Sequence, residues 1–211
     1  MNWQTSRRVI SLERPLVMGI LNATPDSFSD GGRFLSPEAA VERAAVMVDE
    51  GAALVDVGGE STRPGSARVS ADEEISRVVP VIAAIAERFD IPISIDTSKS
   101  EVALAALDAG AEIINDISGL RWDPRLAEIA AKTGAGLILM HSRGQFEDMH
   151  SQPSVENILN EVTDGLRREL RRRLDRSVQL ALVAAGEALD ASGLAPEQRA
   201  GAATVVGTGI A

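Results

Sequence analysis

One unit recurs along this chain and restricts its fold more than any single residue does: an apolar strand, a polar loop, a capped amphipathic helix, a glycine, and the next strand. Strands are read at 15–20, 53–57, 91–96, 112–116 and 136–140. Between them, Ser36-Pro37-Glu38 gives an N-cap with proline at the first helical position, and that helix runs to Val48 before Gly51 closes it. Ser70 with Glu73, and Ser98 with Glu101, read as capping boxes. Gly110 ends the third helix, and Asp123-Pro124 opens the fourth. Pro80 carries no backbone N–H, which predicts a kink or a late start in the second helix. Short apolar strands alternating with such helices imply parallel pairing, right-handed crossovers and helices laid over the sheet.

A doubly wound sheet and a barrel both meet that description. The strand-end residues Asn22, Asp56, Asp96, Asn115 and His141 advance by about 30 positions on average, close to the share each of eight units takes in a barrel of roughly 250 residues. Doubly wound folds gather ligands mainly at one switch point, whereas here every strand end carries a polar group. The expectation is therefore an α/β chain of (β/α)8 TIM-barrel type, a single domain over 1–211. Residues 202–207 offer a sixth strand, so about six βα units are expected, with strands seven and eight missing. Two unpaired edges would follow, and with them low stability or self-association.

Composition narrows function. The 211 residues are 45% hydrophobic and 25% charged, enough for one sizeable core. A net charge of -10 argues against nucleic acid or an anionic membrane as partner. Without cysteine, neither disulfides nor thiolate chemistry is possible. The first residues lack a signal-peptide core or a membrane span, so a cytoplasmic protein is expected. From Ser154 a long helix is predicted, and its basic block at 166–176, with Arg167, Arg168, Arg171, Arg172 and Arg173, reads as a solvated face.

The chemistry is sought at the strand ends. Asp56, Asp96 and Asn115 each follow apolar residues, and several carboxylates near a core are costly without partners. An aminopyrimidine edge, with adjacent ring N–H and NH2 donors, would satisfy them, because ionised carboxylates only accept. Gly58-Gly59-Glu60-Ser61-Thr62-Arg63-Pro64-Gly65 follows the second strand and suits an anion, its glycines admitting close approach and Arg63 supplying the fork. Asn22 and Asp26 offer oxygen ligands for a hard cation such as Mg²⁺. His141 is read equally as a structural hydrogen-bonding group or a ligand contact, and two histidines make no zinc site. No G-x-S-x-G elbow, Walker loop or H-E-x-x-H is present.

These stretches also resemble a known family. Met18-Gly19-Ile20-Leu21-Asn22-Ala23-Thr24-Pro25-Asp26-Ser27-Phe28-Ser29-Asp30-Gly31-Gly32, Asp56 through Gly65, Ser94-Ile95-Asp96-Thr97, Asn115-Asp116-Ile117-Ser118-Gly119 and Met140-His141 together resemble dihydropteroate synthase, from Pro15 to about Gly144. The resemblance implies a transferase of folate biosynthesis on a (β/α)8 barrel. Its reaction joins a dihydropterin pyrophosphate to para-aminobenzoate and releases pyrophosphate with Mg²⁺ bound. Carried over, Asn22 would meet the metal and pyrophosphate, and Asp56, Asp96, Asn115 and Met140 would line the pterin pocket. Thr62 and Arg63 would steady pyrophosphate, while Phe28 and Pro64 would frame the aminobenzoate. Asp96 and Arg63 would carry the catalytic load.

The family's sixth strand ends in an Asp-Pro-Gly-Ile-Gly-like turn, where this chain has Val206-Gly207-Thr208-Gly209-Ile210-Ala211. The family's lysine after strand seven, its arginine and histidine after strand eight, and the helices of its usual homodimer interface have no counterpart here. Two alternatives therefore stand beside the synthase reading: a catalytically inactive pterin-binding or assembly subunit, and a pterin-dependent methyltransferase barrel. The loops at 22–32 and 60–65 speak against the latter, since methyl transfer needs no diphosphate site.

Overall fold

A computed structural model describes residues 2–24, 36–173 and 206–208. Five parallel strands form its centre: β3 (Met18–Asn22), β4 (Leu54–Gly58), β5 (Ile93–Asp96), β6 (Ile113–Asp116) and β7 (Gly136–Leu139). They pair in chain order, β3-β4-β5-β6-β7, with no reversal. That order is the wall of a barrel, and a doubly wound sheet would break it at a switch point. Four helices, α1 (Pro37–Asp49), α2 (Ala71–Arg88), α3 (Ser100–Ala109) and α4 (Arg125–Thr133), cross between consecutive strands, and α5 (Ile158–Arg173) follows β7. Among the described residues no helix is long and apolar enough to cross a membrane.

Local signals account for most helix ends. Ser36 Oγ accepts from Ala39 N at 3.2 Å, and Ser70 Oγ accepts from Glu73 N at 3.2 Å. The helix carrying Pro80 begins at Ala71 and runs unbroken to Arg88, so the late start does not occur. Its exposed proline forgoes one bond while the buried stripe Val78, Val81, Ile82 and Ile85 holds the helix to the sheet. The second expected capping box also fails. Helix α3 starts at Ser100, and its Ser100 N–H donates instead to Asp123 Oδ2 at 2.9 Å, a cap delivered from the loop before α4.

The sixth strand differs from expectation too. Residues 202–205 lie outside the described residues, and β8 (Val206–Thr208) pairs with β7 antiparallel, so it does not continue the parallel order. A free strand edge accepts either polarity, because its N–H and C=O groups alternate in both.

Two apolar layers flank the sheet. Val55, Val57, Ile95, Ile114, Leu137 and Leu139 point to the helices and pack with Val78, Ile82, Ile85, Val102 and Leu126. Each such side chain contributes about 1.5–3 kcal/mol on burial. On the opposite face, Leu54, Ile113 and Ile138 pack with Trp3 and Ile10. These two come from a hairpin, β1 (Asn2–Gln4) and β2 (Val9–Ser11), that the sequence reading left unassigned. Strands of three residues are too short to show alternation. The hairpin closes the amino-terminal end of the strands: a Cβ on Gly136 would lie 2.9 Å from the Trp3 ring. Buried Glu112 anchors it, accepting from Thr5 Oγ1 at 2.5 Å and pairing with Arg8 Nε at 2.9 Å.

Candidate active site

The hairpin seals one end of the strands, and polar groups collect at the other. Register explains how. Asp96 lies opposite Gly58 on one side and Asn115 on the other, while Asn22 lies opposite Gly58. Asp56 sits two residues before Gly58, so alternation turns Asn22, Asp56, Asp96 and Asn115 to one face. Asn115 Nδ2 donates to Asp56 Oδ2 at 3.0 Å. A Cβ on Gly58 would stand 3.5 Å from both Asn22 Oδ1 and Asp96 Oδ2. The bare glycine therefore leaves a recess faced by two oxygen atoms.

The electrostatics of this cluster are unfavourable without a ligand. Burial pushes the Asp56 carboxyl up, and nearby Ser94 and Asn115 draw it back only in part. Burial, then the Asp56 charge, followed by those of Glu74, Asp116 and Glu60, hold the Asp96 carboxyl well above the usual aspartate range. Asp56 Oδ1 and Ser94 Oγ are buried and, among the described residues, make no hydrogen bond. Orphan acceptors of this kind favour a ligand that brings N–H donors.

The loop after β4 is tied at its neck. Glu60 Oε1 accepts from Val69 N at 2.7 Å and from Lys99 Nζ at 2.8 Å, and Lys99 also donates to fully buried Glu74 Oε2 at 2.5 Å. Inside the loop, Ser66 N–H donates to Arg63 O at 3.0 Å, and Ser66 Oγ to Ser61 Oγ at 2.9 Å. Thr62 is half-buried and its carbonyl bonds His150 Nε2 at 2.7 Å, whereas Arg63 and Pro64 are exposed at the crest.

Of the residues expected at the site, Asn22, Asp56, Asp96 and Asn115 are brought together, and alternation along β7 turns Met140 to the same face as Ile138, which is paired with Asn115. Thr62, Arg63 and Pro64 stand on the adjoining loop. Phe28 and Asp26 lie outside the described residues. His141 belongs elsewhere: one residue beyond Met140, it turns outward beneath α5, where a Cβ on Gly165 would come within 2.4 Å of its ring. Burial lowers its pKa, and Glu161, 3.6 Å away, opposes that shift.

Ser94, Glu74 and Lys99 escaped the sequence reading. Ser94 signals itself as the one polar residue between Ile93 and Ile95, and Glu74 shares the helical stripe of Val78, Val81 and Ile85. Asp116, by contrast, is architectural. Its carboxylate accepts from Ser118 N at 2.8 Å and Leu120 N at 2.6 Å, fixing a turn in which Leu120 has φ 68°. Among the described residues no group of three or more His, Asp or Glu side chains is arranged to hold a metal ion.

Comparison with known proteins follows the same residues. A family profile described as "Pterin binding enzyme" matches 18–184. A dihydropteroate synthase from Clostridium beijerinckii is 53% identical over 152 residues, covering 72% of this chain and 55% of that protein. The chain thus spans about half the length of the curated relatives it matches. Among solved structures, the Yersinia pestis dihydropteroate synthase with a sulfonamide drug complex superposes with a TM-score of 0.75 at 45% identity, covering 82% of this chain and 63% of that one. The Xanthomonas albilineans dihydropteroate synthase with 4-aminobenzoic acid gives a TM-score of 0.73 at 40% identity, covering 82% and 62%.

Proposed function

The chain belongs to the pterin-binding enzyme family, and on that premise we propose that it carries the pterin-binding half of a dihydropteroate synthase. The reaction proposed joins 6-hydroxymethyl-7,8-dihydropterin pyrophosphate to para-aminobenzoate, giving 7,8-dihydropteroate and pyrophosphate in folate biosynthesis. One observation carries the reading: the Asp56–Asn115 hydrogen bond beside the raised Asp96 carboxyl, with Asp56 Oδ1 buried and unpartnered among the described residues. An aminopyrimidine edge supplies the N–H donors those oxygens lack, and Asn115 both donates and accepts. Met140 would pack on the ring.

The same acids favour the chemistry proposed. The pterin methylene–oxygen bond breaks with its electron pair leaving on pyrophosphate, and positive charge spreads into the pterin. Carboxylates of low solvation beside the ring stabilise that charge as it develops. Arg63 and the Thr62 hydroxyl receive the opposite charge on the leaving group. The arylamine nitrogen then forms the new C–N bond and loses a proton, so no protein nucleophile is needed.

Mg²⁺ is the proposed cofactor. Asn22 Oδ1 faces the recess over Gly58, and a hard cation that keeps waters and substrate phosphates needs few protein ligands. Bound there, the ion would neutralise charge on the diphosphate. Nucleic acid and anionic membranes are not proposed as partners, in keeping with the net charge of -10.

A second reading, a pterin-binding subunit without turnover, draws on β8, which occupies the edge of β7 in the antiparallel sense where a barrel wall needs a parallel strand. Two measurements separate them. Product formation from the pyrophosphate ester and para-aminobenzoate with Mg²⁺ supports the synthase, and turnover no faster than background rejects it. Calorimetric titration with a pterin decides the rest, since absence of heat at any concentration rejects both readings.

A further inference from the structure

Four successive strand-end loops meet at one side chain that the reaction does not use. Arg68, at the end of the β4–α2 loop, places its guanidinium carbon 5.3 Å from the Trp122 ring centroid and 5.1 Å from that of Phe146. Trp122 belongs to the β6–α4 loop and Phe146 to the segment between β7 and α5. The two rings stack edge to face at 5.9 Å and 67°. Arg68 also donates to Ser98 Oγ, in the β5–α3 loop, at 3.1 Å.

The aromatic pair is itself fixed. Phe146 is buried, and Trp122 Nε1 donates to Gly144 O at 3.4 Å. Arg121 reinforces that link with bonds to Gly144 O at 2.9 Å and Ser142 Oγ at 3.0 Å. Arg68 therefore rests on a rigid seat. Four residues beyond Phe146 on the same segment comes His150, whose Nε2 lies 2.7 Å from Thr62 O, at the other end of the β4–α2 loop. One segment thus holds that loop at two points, near the anion-facing residues and near the neck.

We propose that Arg68 is a positioning residue. Its seat on Trp122 and Phe146 sets Thr62 and Arg63 at the mouth before any anion arrives, which lowers the ordering cost of binding. A guanidinium is suited to this work, because its planar face stacks on the rings while an N–H in the plane donates to Ser98, whereas a lysine ammonium is a single point charge that must serve one contact or the other. The inference rests on the proposed role of Thr62 and Arg63 toward the diphosphate.

The test uses the full chain, with R68A and R68K beside wild type. Arg68 is exposed, so the melting temperature should hold in both variants. Amide exchange, measured without any ligand, should quicken in R68A across 61–69 and stay unchanged in α2. Titration with inorganic pyrophosphate and Mg²⁺ should show affinity about fivefold weaker in R68A, the scale of one exposed cation–π contact. R68K should fall between, since it keeps the charge and the Ser98 bond. Unchanged exchange across 61–69 in R68A overturns the proposal, as does an unchanged or tighter pyrophosphate affinity. If wild type ignores pyrophosphate while R68A still loosens the loop, the clasp stands and the anion reading of Thr62 and Arg63 falls.

Discussion

Asp56 and Asp123 are exposed by only 3% and 9%, yet the protein treats them in opposite ways. Burial pushes both carboxyls up. At Asp123, hydrogen bonds from the Arg125 and Ser100 side chains and from their backbone amides outweigh it, and the pKa falls to about 2. Its Oδ2 caps α3 through Ser100 N at 2.9 Å, and its Oδ1 accepts from Arg125 N at 3.1 Å at the start of α4. At Asp56, Asn115 donates to one oxygen and Ser94 stands near enough to lower the pKa in part, yet among the described residues the other oxygen makes no hydrogen bond and the pKa stays raised, with Asp96 raised further beside it. A filled set of donors marks an acid that stabilises the fold. An unfilled one agrees with the pterin-binding role proposed for Asp56 and Asp96, at a cost in stability.

Asp96→Asn tests the contrast most severely. At a pH above its raised pKa, where Asp96 is ionised, it should weaken pterin binding by about 100-fold, the scale of losing charge-assisted hydrogen bonds, while the melting temperature rises because a buried like charge is gone. A lower melting temperature with intact binding would reverse the assignment. Next in size is Asp123→Ala. Two helix starts lose their cap, so urea unfolding should show about 2 kcal/mol less stability with pterin affinity preserved. A loss of affinity at preserved stability would place Asp123 in the site.

Smaller effects probe the recess and the titrations. In Gly58→Ala the new Cβ meets Asn22 and Asp96 at ordinary contact distance, so the fold should persist. Pyrophosphate binding with Mg²⁺ should weaken by about tenfold, as when groups that orient a metal ligand are disturbed. Equal affinity would show that Gly58 does not shape the anion site.

Urea midpoints between pH 2 and 8 should then show both signs. Asp123, depressed from 3.8 to about 2, contributes stability that is present above pH 4 and lost as the pH falls toward 2. Asp56 and Asp96, raised from 3.8, hold protons in the fold that the unfolded chain has released. Their contribution is complete below pH 4 and declines as the pH climbs through the folded values. D123A should flatten only the acid limb and D96N only the limb above it. A profile that either variant leaves unchanged contradicts the corresponding assignment.

Much of this was legible in advance, because it is written locally. The alternation of apolar strands and capped helices gave the parallel order, and Ser36 and Ser70 cap as their spacing predicts. Strand-end position groups Asp56, Asp96 and Asn115 in the sequence, with Asn22 read as an oxygen ligand for a cation, and the period of two together with the observed register explains why all four share a face. For His141, which the sequence leaves open between a structural hydrogen bond and a ligand contact, the same period explains why it turns away from the face of Met140.

What the sequence by itself determined is therefore the order of the alternating elements from β3 to β7, most of their ends, and the identity of the acids at the strand ends. Only the tertiary structure decided which acids were satisfied. Asn115 reaches Asp56 across 59 positions, Asp123 caps a helix 23 positions upstream, and the hairpin of residues 2–11 closes a floor formed by strands far along the chain. Each depends on where loops close in space. Local propensity acts over a turn or two, whereas burial and hydrogen-bond supply, which separate the satisfied Asp123 from the under-supplied Asp56, are fixed only once distant strands have been paired.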